Sequence, residues 1–414
     1  LHHPPPNLTP ANPSIPSPYK SPPGQSQHHQ SPLASESPAS KEFQSRKPSL
    51  VPISVPPALG RFPKSTAKAL KSKILLIKRM KFIIDNKIPF IKGRLEPLGE
   101  TIYAAPAEIT PASVKDADAL IVRTRTICGP GLLQGSSAKL IATATIGTDH
   151  IDLEWCRNNG IAVANAAGCN APGVAQYVWA SLLENGFDTS RHTLGVVGYG
   201  NIGTIVADWG RKLGARVIIC DPPRKKSGLT DEEYLPLETI LREADAVTLH
   251  TPLTRSGDDA TFHLIGERQL AMMKPGSILV NAARGPVADN RAWAAHLKAN
   301  NAKAIIDVWE NEPEISTPLL ELASVATPHI AGYSLEGKQR ATRMALEAIE
   351  KHFGVKIDTS GLEGTYTPPA EISGPSQITS SYNPAADTAL LRANPQNFEK
   401  LRSDYNYRPE PSFL

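Results

Sequence analysis

Three side chains in the second half of this 414-residue sequence could between them move a proton and hold an anion. Arg284 lies in NAARGPVAD, Glu312 in DVWENEP and His329 in TPHIAG, each just beyond a short apolar run. A guanidinium grips a carboxylate through two parallel donors, and an imidazole beside a carboxylate carries a proton near neutral pH. The set suits a 2-hydroxy acid. Arg284 would hold the substrate carboxylate and polarise the C2 oxygen, His329 would take the C2 hydroxyl proton, and Glu312 would orient the imidazole and stabilise its cation. Each residue has an ordinary structural alternative: a packed histidine, a helix-capping arginine, a surface acid in ENEPE. One reaction needs all three, and that favours the chemical reading.

The elements that would bring these loops together are visible as short apolar runs. KFIID, ALIVR, KLIATAT and IAVAN read as buried parallel strands from Met80 onward. A long helical pattern from Ala171 to Glu184 follows. Then LGVVGYG, ARVIICD, AVTLHTP, SILVNAA, AKAIIDV and LASVATP read as six more strands, most of them followed by a helix-sized segment. This alternation predicts a doubly wound parallel α/β fold, in which ligands bind beyond the carboxyl ends of the strands, where Arg284, Glu312 and His329 fall. A last amphipathic helix, from about Glu336 to Phe353, would return to the first domain.

The first strand of the second series opens a nucleotide site. In GVVGYGNIG, Gly198, Gly200 and Gly203 have the GxGxxG spacing between a strand and a helix, with Asn201 and Ile202 inside the turn. Gly198 permits the tight turn, Gly200 lets backbone approach a pyrophosphate, and Gly203 allows close helix–strand packing. Asp221, 18 residues after Gly203, ends the next strand and can accept from a ribose diol. Its charge repels a 2′-phosphate, so NAD is expected rather than NADP, although Arg224, Lys225 and Lys226 follow closely.

A second anionic group has candidate partners in VRTRT. Read as extended chain, this segment puts Arg123 and Arg125 on one side, where they could receive a phosphate while Arg284 holds the carboxylate. The alternative is a salt bridge for one of the two arginines.

Composition sets limits on the remainder. Residues 1–79 hold 16 of the 38 prolines and 11 Lys/Arg against 2 Asp/Glu, and are expected to be a disordered Pro/Ser-rich extension. In it, PSIPSP could form a polyproline-II turn. The basic character of the chain resides there, since the rest carries 33 of the 44 basic and 38 of the 40 acidic residues; no nucleic-acid partner is expected. Cys128, Cys156, Cys169 and Cys220 show neither a metal-ligand nor a disulfide spacing, so no metal and a cytoplasmic setting are expected. No apolar run reaches the length of a membrane span.

GTDHID, GCNAPGVAQYV, GVVGYGNIG, CDPPR, HTPLT, NAARGPVAD, DVWENEP and TPHIAGYSLEGK together resemble the D-isomer-specific 2-hydroxyacid dehydrogenases, over Met80 to about Phe353. The resemblance implies a Rossmann NAD domain inserted in a smaller flavodoxin-like α/β substrate domain. The expected boundaries are 80–170 for the substrate domain, 171–332 for the NAD domain, 333–360 for the returning helix and 361–414 for a short C-terminal appendage. It implies catalytic roles for Arg284, Glu312 and His329. It implies NAD contacts for Asp221, Thr251, Asp307 and Gly332, with Ala283 in the same set, and substrate contacts for Thr124, Thr145 and Tyr333. CDPPR and HIAGYSLEGK narrow the implied reaction to NAD-dependent oxidation of 4-phospho-D-erythronate to 2-oxo-3-hydroxy-4-phosphobutanoate, in vitamin B6 biosynthesis. Rival readings are a sibling dehydrogenase for phosphoglycerate, glyoxylate or hydroxypyruvate, and an NAD-sensing corepressor of the same fold. Two departures stand out: the extension before Met80 has no counterpart in the family, and the C-terminal segment, with NFEKLRSDYNYR resembling part of a dimerisation domain, is short. A homodimer is still expected.

Overall fold

A computed structural model describes residues 79–228 and 230–413. The expectation of disorder for residues 1–78, and the polyproline-II turn within them, lie outside the described residues.

Two parallel sheets organise the chain. The first is built from β1 (Met80–Asp85), β2 (Gly99–Ala104), β3 (Ala119–Val122), β4 (Leu140–Thr143) and β5 (Ala162–Asn165) in the order β2-β1-β3-β4-β5. That is the flavodoxin-like order. Strands β3 and β4 are buried throughout, as apolar runs covered on both faces must be. Strand β2, GETIYA, is not among the strands expected from sequence; it lies at a sheet edge, largely part-exposed, so its polar residues hide the signal.

The second sheet holds β6 (Thr193–Val197), β7 (Arg216–Cys220), β8 (Ala246–Leu249), β9 (Ile278–Asn281), β10 (Lys303–Ile306) and β11 (Val325–Ala326), in the order β11-β10-β9-β8-β6-β7. A parallel bridge from Ile219 to Tyr234 adds a vestigial strand outside β7, which makes this the Rossmann order. The strands are parallel, but the order in which they are added reverses between β6 and β8, and the crevice at such a switch point is where ligands bind.

Helix α1 (Ala171–Glu184) joins the two sheets and is buried from Ala171 through Leu182, the mark of a helix apolar on every side. Helix α2 (Asn201–Lys212) follows the glycine turn. Helix α3 (Leu335–Phe353) starts where the Ser334 hydroxyl accepts from Gly337 N and ends at Gly354, whose φ of +67° is left-handed. Its Ala345, Leu346 and Ile349 pack with Phe82, Ile84 and Ile121, so the chain returns to the first sheet.

The C-terminal segment differs from the expected appendage. Helices α4 (Pro384–Ala393) and α5 (Phe398–Ser403) send Leu391 and Phe398 into the core beside Leu319, Leu320 and Ala326. Ile378 and Tyr382 join the core around Tyr177. These apolar residues are scattered without periodicity, because each answers a different neighbour rather than one continuous face. No helix among the described residues is long and apolar enough to cross a membrane.

Candidate active site

His329 sits three residues beyond β11 with φ of +58°, a left-handed conformation uncommon outside glycine. The loop is held there from β10's end. His329 N donates to Asp307 O at 2.8 Å, while Ile330 N and Thr327 Oγ1 both donate to Asp307 Oδ1 at 2.7 Å. Burial raises the pKa of Asp307 above the usual carboxylate range.

The imidazole is oriented by Glu312. His329 Nδ1 and Glu312 Oε2 are 2.8 Å apart, and the second carboxylate oxygen accepts from Trp309 N at 2.9 Å. Burial pushes the Glu312 carboxyl upward, but the facing imidazole and the Trp309 N–H outweigh it and hold the pKa below its ordinary value. An ionised Glu312 keeps a proton on Nδ1, so the neutral ring offers Nε2 as an acceptor toward the cleft.

Arg284 follows β9 on a loop braced by Asn281, whose side chain donates to Arg284 O at 3.0 Å and accepts from Ala283 N at 3.1 Å. Its guanidinium donates to Ala283 O at 2.8 Å and reaches the Asp149 carboxylate, on a loop of the first sheet, at 3.4 Å. A Cβ at Gly147 would lie 2.6 Å from Arg284 Nη2 and 2.9 Å from Asp149 Oδ2, so a side chain there would displace the guanidinium and the carboxylate it meets.

One cleft of about 790 Å³ runs between the sheets. Arg284, Glu312, His329, Thr251, Ala283, Asp307, Gly332, Asn201 and Ile202 line it from the second sheet's loops; Arg123, Thr124, Arg125, Thr145 and Tyr333 complete the wall. Gly198, Gly200, Gly203 and Asp221 stand outside that lining.

The arginines of VRTRT depart from expectation. The strand ends at Val122, and Thr126 N donates to Arg123 O at 3.2 Å, so residues 123–126 form a turn rather than an extended run. Arg123 makes a forked pair with the buried Asp85 at 3.0 and 3.2 Å, and Arg125 pairs with Glu399 of α5. Lys338 and Arg402, not singled out from the sequence, share this wall. Lys338 stands within the quoted HIAGYSLEGK, but its direction depended on where α3 begins; Arg402 comes from the C-terminal segment.

The nucleotide loop fits a dinucleotide. Gly198 has φ of +92°, and a Cβ there would meet His250 backbone at 2.7 Å; one on Gly203 would meet Gly198 O at 2.0 Å; one on Gly200 would meet nothing within 4 Å. The open side of Gly200 faces no protein atom, and α2 begins there with no side-chain cap, leaving its first N–H groups for an anion. Asp221 is tied to the same loop: Oδ2 accepts from Tyr199 N at 2.7 Å and Oδ1 from Arg224 N at 2.9 Å. Among the described residues, the buried Thr251 Oγ1 and Asn170 Oδ1 have no protein partner, and both residues line the cleft. Buried polar atoms without protein partners are satisfied by water or a ligand, and a molecule in this cleft can reach both of these.

Comparison with known proteins agrees with this geometry. Residues 170–331 match the family described as D-isomer specific 2-hydroxyacid dehydrogenase, NAD binding domain. The chain is 42% identical over 344 residues to an erythronate-4-phosphate dehydrogenase of Bacteroides fragilis, spanning 80% of this chain and 97% of that protein. It is 38% identical over 356 residues to one of Cronobacter sakazakii, spanning 81% and 93%. Among solved structures, the TT0316 protein from Thermus thermophilus shares 28% identity at a TM-score of 0.54, over 66% of this chain and 95% of that one. An NAD-bound 3-phosphoglycerate dehydrogenase of Entamoeba histolytica, at 23% identity and TM-score 0.56 over 70% and 99%, shares the fold. The chain belongs to the erythronate-4-phosphate dehydrogenases, a branch of the D-isomer-specific 2-hydroxyacid dehydrogenases.

Proposed function

We propose that the protein catalyses NAD-dependent oxidation of 4-phospho-D-erythronate to 2-oxo-3-hydroxy-4-phosphobutanoate, the dehydrogenase step toward pyridoxal 5′-phosphate. The observation that carries this reading is the His329–Glu312 pair, 2.8 Å apart, opening on the same cleft as Arg284. Bound NAD supplies the acceptor for the hydride leaving C2. His329 Nε2 takes the C2 hydroxyl proton, and the imidazolium so formed is stabilised by Glu312. Arg284 keeps donors unspent after its bonds to Ala283 and Asp149, and these hold the substrate carboxylate and draw charge onto the C2 oxygen. Thr124, Thr145 and Tyr333 contact the remainder of the substrate; Gly198, Gly200, Asn201, Ile202, Gly203, Asp221, Thr251, Ala283, Asp307 and Gly332 hold the dinucleotide.

Cytoplasmic residence and a homodimer belong to the same proposal. All four cysteines are buried and unpaired, and burial pushes the thiols of Cys128 up to about 12 and of Cys169 and Cys220 up to about 11, which suits a reducing compartment. The small negative balance of residues 80–414 gives no attraction for nucleic acid.

The test is nicotinamide reduction followed at 4-phosphoerythronate, with 3-phosphoglycerate as control, in the wild type and in His329→Asn. Asparagine tolerates a left-handed backbone, so the loop is kept while the base is removed. Turnover should fall by roughly 10²–10⁴-fold with NAD binding retained. Wild type that reduces NAD only with 3-phosphoglycerate, or a variant as active as wild type, would overturn the reading.

A further inference from the structure

The wall around Tyr333 carries more positive charge than the protein itself neutralises. Four cations meet there: Arg123, Arg125, Lys338 and Arg402 all line the cleft. Two carboxylates answer them, Asp85 on Arg123 and Glu399 on Arg125. Glu399 also lies 3.8 Å from Arg402, a loose contact shared with its main partner. Glu312 is close enough to be felt by Arg125 and Arg402, but its oxygens are committed to His329 and Trp309. With the Glu312 charge counted, one positive charge remains on this wall, and among the described residues Lys338 and the outer nitrogens of Arg402 have no carboxylate within hydrogen-bond distance, which leaves charge-assisted donors for a phosphate monoester.

Lys338 is the least explained of the four. It projects from the start of α3 with Nζ 3.5 Å from the centre of the Tyr333 ring and 5.4 Å from that of Tyr407. No carboxylate pairs with it among the described residues. Burial lowers its pKa, and the charges of Arg123 and Arg402 add to that effect. A partly buried ammonium set against aromatic faces keeps all three N–H donors for something else. Arg402 is aimed at the same place from α5, its Nε donating to Tyr333 Oη at 3.3 Å and leaving the outer nitrogens unspent. Burial and the repulsion of its arginine neighbours lower the pKa of Arg125, a further sign of uncompensated positive charge.

We infer that Lys338 and Arg402 form the phosphate-reading subsite of this dehydrogenase, so that the C-terminal segment supplies part of the substrate site. Arg123 and Arg125, each already paired, shape the subsite and add to its field. Selectivity for a phosphorylated acid then depends on two donors brought together by packing α5 onto the start of α3. The inference rests on the proposed oxidation of 4-phosphoerythronate.

The experiment compares kcat/KM for 4-phosphoerythronate and for unphosphorylated erythronate in wild type, Lys338→Met, Lys338→Arg and Arg402→Gln. It also measures inhibition by inorganic phosphate and the NAD dissociation constant. Losing one charge-assisted hydrogen bond should lower the phosphorylated-to-unphosphorylated ratio by about 10–100-fold, chiefly through KM. Phosphate inhibition should weaken in step, and Lys338→Arg should recover part of the ratio. Should Arg402→Gln lose its thermal transition, Lys338→Met decides alone. A ratio within about twofold of wild type in Lys338→Met overturns the inference while leaving the proposed function in place. Wild type without turnover of 4-phosphoerythronate overturns both.

Discussion

At the scale of the residue, the site depends on two dispositions of one imidazole. Its backbone is fixed in a left-handed state by the Asp307 carbonyl, and its ring is fixed by the Glu312 carboxylate. Glu312 is mostly buried yet ionises more readily than an ordinary glutamate, so it faces the ring as a carboxylate through the neutral range. Glu312→Gln keeps the side-chain shape, removes the charge and replaces one of the two accepting oxygens by a donor. The maximal oxidation rate should fall in Glu312→Gln, because the imidazolium formed during turnover is no longer stabilised by a facing carboxylate. A variant with wild-type kcat would separate Glu312 from this role.

At the scale of the element, the loop carrying His329 is clamped from the far end of the chain. Arg408 is 7% exposed, and its guanidinium bonds to carbonyl, amide and phenol oxygens rather than to a carboxylate among the described residues. It donates to Ile330 O and Gly173 O at 3.0 Å, to Gln176 Oε1 at 2.8 Å, and to Ala331 O, with its plane over Tyr382. Both carbonyls directly after His329 thus accept from the C-terminal segment, Ile330 O also from Tyr333 N at 2.8 Å, and Leu335 N returns a bond to Arg408 O at 2.9 Å. Arg408→Met keeps much of the aliphatic volume and leaves Ala331 O and Gln176 Oε1 without this donor, while Ile330 O keeps its bond from Tyr333 N, at about 1–3 kcal/mol for each group left without a partner. The thermal midpoint should drop by several degrees, and kcat should fall more than the affinity for NAD, since α2 and the glycine turn are not touched by this clamp. Equal losses in both would place Arg408 in general stability rather than in positioning the loop.

At the scale of the whole molecule, stability should depend on pH through a histidine that plays no part in proton transfer. His250 lies at the end of β8 against Gly198, with Nε2 3.0 Å from Thr248 Oγ1, and burial lowers its pKa from 6.5 to about 3. The folded state keeps this ring neutral while the unfolded chain protonates it near 6.5. Below that value the unfolded state binds more protons, so stability falls with decreasing pH until the folded ring also protonates, near 3. The slope is about 1.4 kcal/mol per pH unit for one proton. Thermal midpoints recorded between pH 4.5 and 7 should decline toward acid, and His250→Gln should flatten that decline; an unchanged slope would assign the acid sensitivity elsewhere.

Much of this arrangement follows from local pattern. Continuous apolar runs mark ten of the eleven strands among the described residues, most plainly β3, β4, β8 and β9, which are buried throughout and need no polar residue. GxGxxG followed by an acid marks the dinucleotide turn, because only glycine permits that φ and that approach. His329, Glu312 and Arg284 were recognisable as types of chemistry on strand-end loops. Other features depended on contacts between distant parts of the chain. Arg123 turned inward to Asp85 because the strand stops at Val122 and an acid from β1 was within reach. Lys338 and Arg402 face one cleft only because α5 packs where α3 begins, and Arg408 finds its carbonyls across more than seventy residues of sequence. Backbone propensity and burial act over a few neighbours and are therefore written locally. The partner of a charged side chain is decided by which remote element arrives beside it, and only the folded chain determines that.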